Sequence, residues 1–115
     1  MLSKLVIVVL GIIVAVVLYM RFGAARISGS EARQLVAKGA VLLDVRSPQE
    51  FAGGHIEGAL NIPVQDLGRR IDELRDKSVG VVVYCQSGTR SAAAKRLLKS
   101  RGFTNVYDLG GIAQW

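Results

Sequence analysis

Val79–Ser91 reads VGVVVYCQSGTRS, and the fold turns on how this stretch is read. A run of β-branched apolar residues, Val79, Val81, Val82 and Val83, ends at Tyr84, and the single cysteine, Cys85, follows at once. Gln86-Ser87-Gly88-Thr89-Arg90-Ser91 then leads into an alanine-rich run with helical spacing. The pattern predicts a buried strand, a tight polar loop and a helix start. Such a junction aims several backbone N–H groups and the positive end of a helix dipole at one spot. A thiolate is the species those donors would stabilise, so Cys85 is expected to be acidic and reactive. The plainer reading is a small buried hydrophobe at the end of a valine run.

The 115 residues bound the chain to one domain with a modest core. Half of the residues are hydrophobic, and mean hydropathy is +0.35, much of it carried by the first twenty positions. One cysteine excludes an internal disulfide and any multi-cysteine metal site. It also suits a reducing compartment. Formal net charge is +6. Setting aside Lys4 and Arg21 leaves 13 basic against 9 acidic residues, an excess suited to small anions or an anionic membrane surface. Without interleaved aromatics it gives no sign of nucleic-acid binding.

Leu5–Met20 carries no charge over sixteen residues and is bracketed by Lys4 and Arg21. As a helix it would cover roughly 24 Å, extended by Leu2 and Phe22 and by snorkelling basic side chains. We therefore expect an uncleaved transmembrane anchor over residues 1–21 and a linker over 22–27. The rival is a signal peptide cut near Gly23-Ala24-Ala25. Arg21, Arg26, Arg33 and Lys38 follow the segment, so the positive-inside rule places the remaining domain in the cytoplasm, the exported side being the alternative.

From residue 28 the pattern alternates. Ser28 with Glu31 fits a capping box opening a helix through Lys38, with Gly39 as its stop. Val41–Val45 is a short apolar strand, and Ser47-Pro48 starts a brief helix that Gly53-Gly54 breaks. Ala59–Ile62 is a strand closed by Pro63. Val64, Leu67, Ile71 and Leu74 predict an amphipathic helix. After the central strand, a helix over Thr89–Arg101 turns Ala94, Leu97 and Leu98 inward, and Gly102 ends it. Thr104–Leu109 supplies a last strand, with a first small one expected at the end of the linker. Strands alternating with helices imply an α/β fold, a mostly parallel sheet covered on both faces.

In such a sheet, ligands bind outside the carboxyl ends of the strands. Asp44-Val45-Arg46, the turn around His55 and the Cys85 loop all fall there. Asp44 and Arg46 suit a charged pair that braces the loop, or an ordinary strand-end ion pair. His55 is a candidate base for Cys85, although a histidine in a glycine turn commonly bonds to backbone. Arg90 closes the loop, where it could bind an anion and support a thiolate. Lys95, Arg96, Lys99 and Arg101 read as a solvated helix face.

Asp44-Val45-Arg46, Pro48-Gln49-Glu50-Phe51, His55 through Pro63, Tyr84 through Ser91, and Gly110-Gly111 through Trp115 occur in the order found in single-domain rhodaneses. Together they give a specific resemblance, spanning Arg26 to Trp115. The resemblance implies a five-stranded parallel α/β domain, here residues 28–115, and thiosulfate-type sulfurtransferase chemistry without cofactor or metal. It assigns Cys85 as the residue that becomes a persulfide. Gln86, Ser87, Gly88, Thr89 and Arg90 would bind the substrate's sulfur, with Asp44, Arg46 and His55 in supporting roles. Members of the family commonly run past the final tryptophan into a fuller helix, so the packing around Trp115 is expected to differ.

The implied partners are a small anionic sulfur donor such as thiosulfate, an external thiol or cyanide acceptor, and the membrane. Two other readings stay open. One is a membrane-tethered persulfide carrier, sensor or binding module. The other is a phosphatase or arsenate reductase-type cysteine enzyme. Phosphatases sharing the fold separate cysteine from arginine by five residues, and here Cys85 and Arg90 are separated by four.

Overall fold

The computed structural model describes residues 3–18 and 26–115. Helix α1, Lys4–Leu18, is apolar on every side, and none of its residues is buried. Its 15 residues reach about 22 Å, well short of a hydrocarbon core of about 30 Å. Among the described residues no helix is long and apolar enough to cross a membrane. The described residues therefore do not support the single-pass anchor expected over residues 1–21, and the cytoplasmic placement argued from it loses its basis. The rest of that stretch and the Gly23-Ala24-Ala25 cleavage reading lie outside the described residues.

The remaining chain alternates as expected. Helix α2 is Gly29–Ala37, strand β1 Val41–Asp44, helix α3 Pro48–Ala52, strand β2 Leu60–Asn61 and strand β3 Val81–Cys85. Helix α4, Thr89–Ser100, and strand β4, Val106–Gly111, complete it. Both early helices begin with a full capping box, Ser28 with Glu31 and Ser47 with Glu50. Pro48 at the first turn of α3 loses nothing there, since its missing N–H would have been unpaired.

Among the described residues the sheet has four strands in the order β2-β1-β3-β4, all parallel. The expected fifth is reduced to one bond, the Ile27 N–H donating to the Asp108 carbonyl at 2.9 Å beside β4. Phe22–Ala25, which would have lengthened it, lie outside the described residues. A second correction concerns residues 64–74. Leu67 and Leu74 are buried as predicted, yet the backbone forms two 3₁₀ turns, Val64–Asp66 and Ile71–Glu73. Gly68 weakens a helix here, and Arg70 departs from helical geometry at φ −112° and ψ 18°.

Strand alternation divides the core in two. Leu43, Val81, Val83 and Cys85 face Ala94 and Leu98 of α4, together with Leu67 and Leu74. Leu42, Val82 and Tyr84 face Ala32 of α2 and Leu109, with Trp115 closing the edge. A strand buried on both faces needs apolar residues at successive positions, which is what the valine run supplies. The sheet grows in opposite directions from β1, to β2 on one side and β3 on the other. The carboxyl ends of β1 and β3 therefore border the crevice where an open α/β sheet binds ligands.

Candidate active site

Cys85 is the last residue of β3 and is fully buried. The loop behind it turns at once into α4, with Gly88 at the helix N-cap in the left-handed region at φ 109°. A side chain there would be strained, and glycine lets the chain fold back over the sulfur. The Gly88 N–H donates to Cys85 Sγ at 2.9 Å. Burial pushes the thiol upward. Against it act the Ser91 hydroxyl and the backbone N–H groups of Ser91, Gly88 and Ser87, which hold the thiol below its ordinary value. Of the donors expected there, the Gly88 N–H is the one within hydrogen-bond distance of the sulfur among the described residues.

Two neighbours shape this loop. A bulge in the β3–β4 register at Val83/Tyr84 sets Gly111 opposite Cys85. A Cβ on Gly111 would lie 2.8 Å from the Gln86 carbonyl oxygen, so the loop can close only over a glycine. From the other side Arg46 reaches across. Its Nη1 donates to Gln86 Oε1 at 3.2 Å and its Nη2 to the Gly54 carbonyl at 2.8 Å.

Asp44 holds that arginine in place. Arg46 Nε and Nη2 grip its carboxylate at 3.1 and 2.8 Å, and the Arg46 backbone N–H donates to it at 2.9 Å. Both side chains are buried, and the hydrogen bonds it donates to Asp44 hold the Arg46 guanidinium above its ordinary value. Arg46 also lies 5.7 Å from the centre of the Tyr84 ring. The Tyr84 hydroxyl accepts from the Ile56 N–H at 3.2 Å, and burial pushes it up. The Asn61 side chain ties together the Asp44 and Arg46 carbonyls at 3.0 Å each. Asp44 and Arg46 are thus a brace that reaches the Cys85 loop through Gln86.

The other candidates fall elsewhere. His55 is exposed, stacks on Phe51 at 3.6 Å, and meets the Phe51 carbonyl through Nδ1 at 2.8 Å. Among the described residues it has no hydrogen bond to Cys85. Arg90 stands in the first turn of α4, but its guanidinium is taken up by Glu50 at 2.6 Å. Thr89 opens α4 at the loop's end. Sequence reasoning missed two participants, Ser91 and Glu50. Ser91 lies on the buried side of α4's first turn, and Glu50 offered a signal as the acid of a capping box with Ser47.

The model of the family described as Rhodanese-like domain matches residues 28–115. A Bacillus subtilis protein, the uncharacterized YqhL, is 49% identical over 78 residues, 66% of this chain and 60% of its own length. The thiosulfate sulfurtransferase GlpE of Ectopseudomonas mendocina is 38% identical over 91 residues, covering 78% of this chain and 83% of the relative. Among solved structures, the human single-domain sulfurtransferase TSTD1 superposes with a TM-score of 0.67 at 35% identity, over 76% of this chain and 90% of that one. These likenesses support a rhodanese-type transferase.

Proposed function

The chain belongs to the rhodanese-like domain family, and on that premise we propose that residues 28–115 move a sulfane sulfur from a thiosulfate-like donor, through a Cys85 persulfide, to an external acceptor. The observation that carries this reading is the Gly88 N–H on Cys85 Sγ at 2.9 Å, at the start of α4.

The Cys85 thiolate attacks the outer sulfur of the donor. A new S–S bond forms as the old one breaks, and sulfite leaves with the electron pair of the broken bond. The persulfide anion then takes the place of the thiolate, its charge facing the N–H groups of Ser87, Gly88 and Ser91 and the α4 N-terminus. Gln86 and Thr89 frame the loop, and Arg90 raises the local potential while paired to Glu50. Asp44 and Arg46 position the loop, and His55 acts only on the backbone of its own turn. A cyanide ion or a thiolate attacks the outer sulfur next, carries it away and returns the Cys85 thiolate. This is covalent catalysis in two halves, for which ping-pong kinetics are expected. Cys85 is the only thiol of the chain, so the acceptor comes from outside.

Intact mass measurement tests this directly. Thiosulfate should add one sulfur atom to the protein, and cyanide should remove it as thiocyanate. Cys85→Ser should stay folded, gain nothing and turn over nothing. Turnover retained in that variant would overturn the assignment.

A further inference from the structure

Arg26 precedes Ile27, whose bond to the Asp108 carbonyl fixes the chain beside β4. Its guanidinium lies over two glycines that border the Cys85 loop. A Cβ on Gly88 would stand 2.8 Å from the guanidinium carbon, and one on Gly110 would stand 3.0 Å from Nε. Gly88 is the residue whose N–H meets the sulfur. Arg26 is exposed, and among the described residues no carboxylate pairs with it. Arg90, the cation to which the loop sequence points, is held by Glu50.

We propose that Arg26 selects anionic donors, binding the sulfonate end of a thiosulfate-type molecule while Cys85 takes its outer sulfur. The proposal rests on the sulfurtransferase reading above. Such a donor presents two unlike ends. The outer sulfur needs the small ring of amides, and the sulfonate oxygens need donors beyond that ring. A planar guanidinium with several N–H groups fits two such oxygens at once. As the donor's S–S bond breaks, its electron pair goes to sulfite, so charge grows at the end that Arg26 faces. The missing side chains at Gly88 and Gly110 are what let the guanidinium lie this close to the loop.

Two pairs of reagents test the idea, each pair differing in charge. Iodoacetate and iodoacetamide alkylate Cys85 without any sulfur transfer. Arg26→Gln should slow iodoacetate about fivefold and leave iodoacetamide within about twofold. Arg26→Lys should restore most of the difference. In turnover, kcat/KM for thiosulfate should fall about tenfold, with a neutral organic trisulfide used as before. Arg96→Gln, the same charge change on the exposed face of α4, should alter none of these rates. Equal slowing with charged and neutral reagents would show a displaced loop, and no slowing would show that Arg26 exerts no field at Cys85. Either result overturns the proposal. A wild-type protein that ignores thiosulfate yet loses its iodoacetate preference in Arg26→Gln would strike only the sulfurtransferase reading. Cys85 inert to all four reagents would overturn both.

Discussion

Arg90 and Glu50 lie forty residues apart and meet edge to edge, Nη1 donating to Oε1 at 2.6 Å and Nη2 to Oε2 at 3.0 Å. The Arg90 hydrogen bond, with help from the Ser47 N–H, pulls the Glu50 carboxyl down to about 2. The pair joins the first turn of α3 to the first turn of α4, so the loop between Cys85 and α4 is fastened from outside. It also spends part of the Arg90 charge that would otherwise act on the thiolate.

Glu50→Gln should therefore make Cys85 more acidic. Glutamine keeps the size and can still accept from Ser47, but it leaves the arginine's full charge near the sulfur. The expected outcome is an alkylation–pH curve shifted to lower pH, and a shift to higher pH would refute the argument. The wild-type carboxyl titrates lower in the folded than in the unfolded chain, where about 4.3 is ordinary. Its contribution to stability is present above that value and is lost as pH falls through about 2. Acid unfolding of the variant should thus depend less steeply on pH over that window.

Asp44→Asn tests the buried brace. The change removes the partner of an arginine that stays buried against Gly54 and Gln86. A buried charge left unpaired costs about 3 kcal/mol or more. Urea unfolding should show a loss of that size, and sulfur transfer should fall as Gln86 loses its fixed partner. A loss below about 1 kcal/mol would mean that the Gly54 and Gln86 contacts suffice to hold Arg46.

The sequence made the central junction legible because it is local. A β-branched run, one cysteine and a glycine-bearing turn leave little freedom to the backbone of Val81–Ser91. The capping box at Ser28 and Glu31 was legible for the same reason. Residues 64–74 were not, because apolar residues three apart bury one face in a 3₁₀ turn as well as in an α-helix. At the sheet's edge, the described residues show Ile27 giving β4 one bond and no strand, short of the five strands expected. In the candidate site, Asp44 and Arg46 were visible as neighbours in sequence. The partners of Arg90 and Arg26 were not, since Glu50 and the glycines at 88 and 110 come near them only through the packing of separate elements.

Ser91→Ala should raise the Cys85 pKa. Ser91 is buried, and its hydroxyl donates to the Gly88 carbonyl at 3.0 Å in the turn beside the sulfur. Its hydroxyl and its backbone N–H both act to lower the thiol. Without the hydroxyl, alkylation by iodoacetamide at pH 7 should slow about threefold or more, and rates well above the thiol's pKa should converge with wild type. Because the folded thiol titrates below the unfolded one, the stability its ionisation gives is complete above the unfolded value of about 8.5 and is lost as pH falls through the lower folded value. The variant should lose part of that alkaline gain. An unchanged alkylation–pH curve would remove Ser91 from the site.

Loop length gives the last prediction and separates the two enzyme readings. Four residues lie between Cys85 and Arg90. The chain must curl tightly enough for the Gly88 N–H to return to the sulfur at 2.9 Å, while the Gln86 carbonyl lies against Gly111. That geometry gives a narrow ring of donors around a buried atom, fit for the outer sulfur of a persulfide. A phosphoryl group brings three non-bridging oxygens and needs a wider ring, with an arginine free to bind two of them, whereas Arg90 is turned to Glu50. The native protein should therefore turn over thiosulfate and leave aryl phosphates untouched. Inserting one glycine between Gly88 and Thr89 lengthens the loop where it enters α4, so the Gly88 N–H and the Ser91 pair can no longer converge. Sulfur transfer should fall by about tenfold or more, and phosphate or arsenate should begin to protect Cys85 from alkylation. Aryl phosphatase activity in the native protein, or sulfur transfer indifferent to the insertion, would show that loop length does not select the chemistry.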